Sequence, residues 1–236
     1  ARTRNARLAA LKSFFRFLEY RLPSSLGQAR QIHAIPMKRF DEALVAYLTL
    51  DEVQALLDAP GPGTACGLRD RAILYLAYSC GLRVGELVAL RVDQFDGRQP
   101  PCILVDGKGR RQRVLPLWKE TAIAIRNWLA VRGAGADPEL FLNAAGRALT
   151  RSGVEYILAK HVTAAARRQP SLARKRVTPH VLRHTCAMHS LQATGDIRKV
   201  ALWLGHASIQ STEIYLRADP TEKLEALAKL GAPVPK

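Results

Sequence analysis

The chain has 236 residues, 48% of them hydrophobic, which suffices for one substantial domain with a fragment attached and is too apolar for a disordered polymer. Lys and Arg total 36 against 20 acidic residues, a formal charge of +16, so a polyanionic partner is favoured over a cationic one. No run of about 18 apolar residues occurs, so no helical membrane span is expected, and the four cysteines, Cys66, Cys80, Cys102 and Cys186, form no CxxC pair.

Residues 4–21 carry Leu8, Leu11, Phe14, Phe15 and Leu18 at helical spacing, with Arg and Lys between them. This predicts an amphipathic helix with a basic outer face. Nine basic residues in 1–40 face Glu19 alone. Pro23 to Pro36 reads as turn and linker. A lone helix cannot bury its own stripe, so 1–40 is expected to be the remnant of an upstream domain plus a linker, with the main domain at 41–236. The first residues lack a starting Met and an apolar stretch, which reads as a trimmed start and not as a signal peptide.

Thr49 with Glu52 three residues on has the capping-box pattern and starts a helix running to Asp58. Pro60 to Gly63 is a loop. Leu68 to Ser79 predicts a buried helix stopped at Gly81, and helix resumes from Arg83 to Leu90. Cys102–Asp106 and Arg113–Leu117 are short strands flanking Gly107-Lys108-Gly109-Arg110, a glycine-bearing hairpin. Helices are expected at 119–132, 151–167, 179–193, 197–204, 208–216 and 221–230. Thr178 is an N-cap with Pro179 at the first helical position, and Gly195 closes that helix. The fold class is therefore mainly α (α+β), with a small antiparallel sheet. Eight basic residues from Arg151 to Arg183 face Glu155 alone, a second basic concentration.

Chemistry concentrates in a few places. His180, Arg183 and His184 fall on one helix face, in the first two turns, where the helix dipole favours an anion. Alone, this is an ordinary polar face or a zinc pair; a zinc-protease helix needs Glu beside the first His, and Val181 stands there. No metal is expected. Arg83 and Glu86 alone would be a surface pair, and Tyr215 between Ile214 and Leu216 would be core packing.

Together, Gly81-Leu82-Arg83-x-x-Glu86-Leu87, the Gly107-Lys108-Gly109 hairpin, His180-x-x-Arg183-His184, Leu204-Gly205-His206 and a tyrosine nine residues later resemble the tyrosine recombinases, the phage-integrase family. The resemblance covers about residues 41–231. Gly85 departs from it, since many relatives carry Ser or Thr there, and a lost supporting hydrogen bond is the expected consequence; Trp203 is a second, benign variation.

The resemblance implies a DNA-cutting nucleophile at Tyr215 that forms a 3′-phosphotyrosyl link and releases a 5′-hydroxyl. It implies that Arg83 and Arg183 clamp the phosphate, aided by His206. His180 would exchange protons near Tyr215, Lys108 would protonate the leaving oxygen, and Glu86 and His184 would support their neighbours. No cofactor, metal or ATP is implied. Arg2, Arg4, Lys38, Arg39, Arg110, Arg111, Arg151, Arg174, Lys175 and Arg176 are the candidate DNA contacts. The resemblance further implies double-stranded DNA as partner, residues 1–40 as the end of a core-binding domain, and a helix at 220–231 that packs on a neighbouring subunit in a tetramer on paired DNA sites. A cytoplasmic, nucleoid-associated bacterial protein fits this picture. A type IB topoisomerase-like enzyme and a non-catalytic DNA-binding regulator are the competing readings.

Overall fold

The computed structural model describes residues 2–39, 45–107, 112–133, 137–206 and 208–218. The chain divides into two compact units, 1–43 and 44–236.

The first unit is a helical hairpin. Helix α1 (Arg2–Arg21) leads through a short 3-10 turn (Pro23–Ser25) into α2 (Leu26–Ala34). The segment expected as a linker therefore contains a helix. Pro23 sits in the first turn and Pro36 follows the end, the two places where proline costs a helix nothing. The unit is fastened by side chains reaching the backbone at the end of α2 and just after it: Lys12 Nζ donates to the His33 carbonyl at 2.9 Å, and Asn5 exchanges two hydrogen bonds with Lys38. Leu8 and Ala29 are buried, whereas Leu11, Phe14, Phe17 and Tyr20 are exposed. The apolar stripe is thus only partly covered within this unit.

The second unit is built on α4 (Ala65–Ser79), whose last eight residues are all buried. Around it pack α3 (Leu50–Leu57), α5 (Val84–Val88), α6 (Lys119–Arg132), α7 (Arg151–Ala165) and α8 (Pro179–Thr194). A helix without a polar face must be enclosed on all sides, and Leu74, Leu76, Ile125, Leu158 and Leu182 fill that enclosure. Each such side chain contributes about 1.5–3 kcal/mol through burial. The expected capping box forms: Thr49 Oγ1 accepts from Glu52 N, and Thr49 N donates to Glu52 Oε2 at 2.8 Å. Helix α4 starts three residues before the expected position because Thr64 caps it.

Three strands, β1 (Phe95–Asp96), β2 (Cys102–Asp106) and β3 (Gln112–Pro116), pair antiparallel in the order β1-β2-β3. The two-residue β1 is an addition to the expected hairpin. Ile103 pairs with Leu115 and Val105 with Arg113, so Arg113 shares its face of β3 with the buried Leu115.

Helix α9 (Ile197–Leu204) follows α8 across Gly195, which adopts the left-handed conformation. The expected helix at 208–216 is two pieces, a 3-10 turn (Ile209–Ser211) and α10 (Glu213–Ala218). The buried Thr212 divides them, because its hydroxyl is bonded to His206. The expected helix at 221–230 lies outside the described residues. All four cysteines are free; Cys80 and Cys186 are buried and Cys66 is exposed. Among the described residues no helix is long and apolar enough to cross a membrane.

Candidate active site

The site is organised by one buried carboxylate. Glu86 is 9% exposed and lies in the first turn of α5. Its Oε2 accepts the backbone N–H of Arg83 at 3.0 Å, the reach-back half of a capping box, so Arg83 stands outside the helix as its N-cap and not inside it. Oε1 accepts Arg83 Nη1 at 2.8 Å. Arg113 on β3 meets the same carboxylate with a fork, Nη2 to Oε2 at 2.8 Å and Nη1 to Oε1 at 3.3 Å. Arg183 Nη1 stands 4.0 Å from Oε2. Burial pushes the Glu86 carboxyl up, but the hydrogen bonds from Arg113 and Arg83 more than reverse this and hold it below the usual carboxylate range.

Arg183 is 2% exposed and is aimed by two glycine turns. Its Nη1 donates to the Gly81 carbonyl at 2.5 Å and its Nη2 to the Leu204 carbonyl at 2.9 Å. These carbonyls lie at the C-terminal ends of α4 and α9, where orphan acceptors and the helix dipole both favour a cation. Gly81 and Gly205 have φ of +55° and +63°, which only glycine adopts readily. Space demands glycine too: a Cβ on Gly81 would lie 2.6 Å from Leu204 Cδ2, and one on Gly205 would lie 2.9 Å from Arg113 Nη1. One guanidinium thus ties the turn leading to Arg83 to the turn leading to His206. Burial and the neighbouring Arg83 lower the Arg183 pKa to about 10, which leaves it charged at neutral pH.

Beyond Gly205, His206 Nδ1 is 2.7 Å from Thr212 Oγ1. Burial, then the charges of Arg183, Arg83 and Arg113, lower its pKa to about 4, so the ring is neutral at pH 7. Tyr215 is 1% exposed and packs among Ala187, Met188, Leu191, Val200 and Leu204. Its Oη lies 2.8 Å from His184 Nδ1. The phenol's contact is therefore with His184 and not His180; His180 is exposed and meets His184 edge to face, with ring centroids 4.6 Å apart. Burial first, then the adjacent His180, lowers the His184 pKa to about 4. Tyr215 itself is pushed up to about 12 by burial, which outweighs the opposing pull of Arg183 and Arg83.

Beside Arg83 opens a cavity of about 590 Å³, lined by Arg83, Gly85, Glu86, Arg151, Glu155 and His180 among others. Arg83 lines it with a side chain 42% exposed. A Cβ on Gly85 would lie 3.0 Å from Arg151 Nη2, so the departure at Gly85 places a guanidinium over bare backbone. Trp203 donates its indole N–H to the Ser79 carbonyl at 3.1 Å, a role that fits its benign reading.

The other candidates are scattered. Lys38, Arg39, Arg174 and Arg176 are exposed. Arg4 donates to the Pro36 carbonyl at 2.7 Å. Lys175 pairs at 2.6 Å with the buried Glu52, which also accepts Ser171 Oγ at 2.7 Å, so its charge is largely spent inside the protein. Lys108, Arg110 and Arg111 lie outside the described residues, as does the side chain of Arg2. Sequence reasoning passed over Arg113 and Thr212. An arginine on the same strand face as Leu115 was the available signal for Arg113, since an inward cation demands a buried anion.

A model of the phage integrase family matches residues 46–222. The chain is 45% identical over 97% of its length to y4rC of Sinorhizobium fredii, an integrase/recombinase by name, of which it covers 69%. It is 37% identical over 94% of its length to the tyrosine recombinase XerC of Pelobacter propionicus, covering 71% of that protein. Among solved structures, XerH recombinase bound to a palindromic difH substrate superposes with a TM-score of 0.69 at 26% identity, over 78% of this chain and 53% of that one. The chain thus spans roughly two thirds of the length of these curated relatives. With the family match spanning the residues that gather Arg83, Arg113 and Arg183 about one carboxylate, the chain belongs to the phage integrase family and carries the catalytic domain of a tyrosine recombinase, the class of enzyme that cleaves and rejoins DNA at specific sites.

Proposed function

We propose that this chain performs site-specific recombination by direct attack of Tyr215 on a DNA phosphodiester. The observation that carries the reading is the convergence of Arg83 and Arg183, 100 positions apart, on Glu86 beside an open cavity. Three guanidiniums against one carboxylate leave an excess of two positive charges. That excess matches the charge on the non-bridging oxygens of a five-coordinate phosphorane. In the reaction the Tyr215 Oη–P bond forms and the P–O5′ bond breaks. The phenolic proton passes to a histidine of the His180–His184 pair, and Lys108 delivers a proton to the leaving O5′. His206, neutral at pH 7, donates to a non-bridging oxygen. The phosphotyrosyl ester keeps the energy of the phosphodiester, so rejoining is the same exchange in reverse.

Free phenol of pKa about 10 is only about 0.1% ionised at pH 7, a deficit near 4 kcal/mol. The stored Tyr215 is a still weaker acid, so attack requires residues 208–218 to swing the phenol out of its bed and towards Arg83. The short α10 and the break at Thr212 suit that movement.

Residues 1–40 serve as the end of a core-binding domain; the exposed Leu11, Phe14, Phe17 and Tyr20 support that reading. Four copies act on two DNA sites, joined through the 220–231 segment in trans, in the bacterial cytoplasm. The exposed Arg151, Arg174 and Arg176 supply DNA backbone contacts. Relatives named as recombinases favour strand exchange over relaxation or regulation.

Incubation with a pool of nicked duplexes carrying randomised arms tests this. Loss of the short 5′-hydroxyl fragment makes cleavage irreversible, so a protein–DNA adduct should accumulate that resists boiling in detergent. Absence of any adduct across the pool would contradict the reading.

A further inference from the structure

Arg113 is unclaimed by the reaction above, yet it holds more of the Glu86 carboxylate than either arginine that faces DNA. Its fork covers both oxygens, and only 12% of its side chain is exposed. Its Nε–H is buried without a hydrogen-bond partner among the described residues. Its guanidinium lies against Gly205, with Nη1, Cδ and Cζ all within 3.1 Å of where a Cβ would stand.

A buried carboxylate draws every nearby cation inwards until its charge is met. Arg113 meets it from a strand, with its side chain on the same face as the buried Leu115 and only 12% exposed. Arg83 then gives Glu86 one Nη and its backbone N–H, and the remainder of its guanidinium is free for the cavity. Arg183 rests at 4.0 Å without closing on the carboxylate. Without Arg113, Glu86 has only the two phosphate-facing arginines to neutralise it, and both are pulled away from the cavity. The turn carrying His206 loses its packing at the same stroke.

We propose that Arg113 is a positioning residue. By satisfying Glu86 from the protein side, it keeps Arg83 and Arg183 available to the scissile phosphate and fixes the turn before His206. This rests on the cleavage reading given above.

The test uses the whole chain and a nicked duplex that the wild type attacks. DNA affinity, single-turnover cleavage at saturating DNA and the melting temperature are measured for wild type, Arg113→Ala, Glu86→Gln and the double variant. Direct loss of one transition-state donor costs about 100- to 1000-fold, so an indirect loss should slow cleavage by roughly 10- to 100-fold, with DNA affinity within about twofold of wild type. Glu86→Gln removes the inward pull and should restore at least about tenfold in the Arg113→Ala background, although it slows the wild type. A merely structural residue would show no such reversal of sign. If Arg113→Ala does not fold, Arg113→Lys, which keeps the charge but loses the fork, replaces it under the same criteria. Wild-type rate in the arginine variant, or a slow variant that Glu86→Gln fails to rescue, overturns the inference while leaving the cleavage reading intact. A wild type that attacks no DNA overturns both.

Discussion

The two halves of this active site stand in opposite states of readiness. Around Glu86 the charges are already assembled: Arg83, Arg113 and Arg183 are fixed by hydrogen bonds, and Arg83 looks into an open cavity. Around Tyr215 the proposed nucleophile is put away, 1% exposed, bonded to His184 and made less acidic by its burial. On the cleavage reading proposed above, the difference teaches that electrostatic preorganisation and nucleophile presentation are separable in this fold. Guanidiniums cost little to hold ready, because backbone carbonyls and one carboxylate satisfy them.

The sharpest way to break the comparison is to remove one side of it at a time. Tyr215→Phe should abolish adduct formation completely while DNA affinity, read by a gel-shift titration, stays within about twofold, because the phosphate-binding charges are untouched.

Arg83→Ala should reduce single-turnover cleavage by about 3–4 kcal/mol of transition-state stabilisation, as expected for one lost oxyanion donor. Arg183→Ala should lose as much and also about 3 kcal/mol of folding stability. It strips a charged partner from the Gly81 and Leu204 carbonyls and leaves Glu86 with less compensation. A urea midpoint separates the two arginines: the second should shift it more, because it is buried and also leaves two backbone carbonyls without a partner.

Gly205→Ala should destabilise by about 1–2 kcal/mol, since an L side chain there meets both a left-handed backbone and the Arg113 guanidinium. Its cleavage defect should exceed that of a Gly195→Ala control, whose Cβ would meet nothing.

A further prediction concerns pH. His184 and His206 take up protons only near pH 4 when folded, against about 6.5 when unfolded. Between those values the unfolded chain binds more protons, so stability falls as pH drops from about 6.5 towards 4. Glu86, whose folded pKa is lowered, adds its own loss once the pH falls through its unfolded value of about 4.5. Urea midpoints at pH 7.5, 6 and 5 should decline in that order, and a His184→Phe variant should flatten the decline.

Much of the fold was legible because its signals are local. Thr49 with Glu52, Thr178 with Pro179, and Gly195 each state a helix end through their own chemistry. The arginine pair was legible through Gly81-Leu82-Arg83 and His180-x-x-Arg183. What escaped was set by tertiary packing. His180 and His184 are one helical turn apart, about 5.4 Å, and only the place where α10 docks decides which meets the phenol. Lys175 reads like its neighbours Arg174 and Arg176, yet it faces the buried Glu52. Helix α2 was hidden because two prolines bracket it, and bracketing prolines look like a linker when the partner helix is unseen.

The relation between ready charge and stored phenol is tested most directly by digesting the trapped protein–DNA adduct and locating the nucleotide by mass spectrometry. The chain holds six tyrosines, and we expect the phosphate on the peptide containing Tyr215 alone, attached to a DNA 3′ end. A nucleotide carried by any other side chain, or a 5′ linkage, would contradict it.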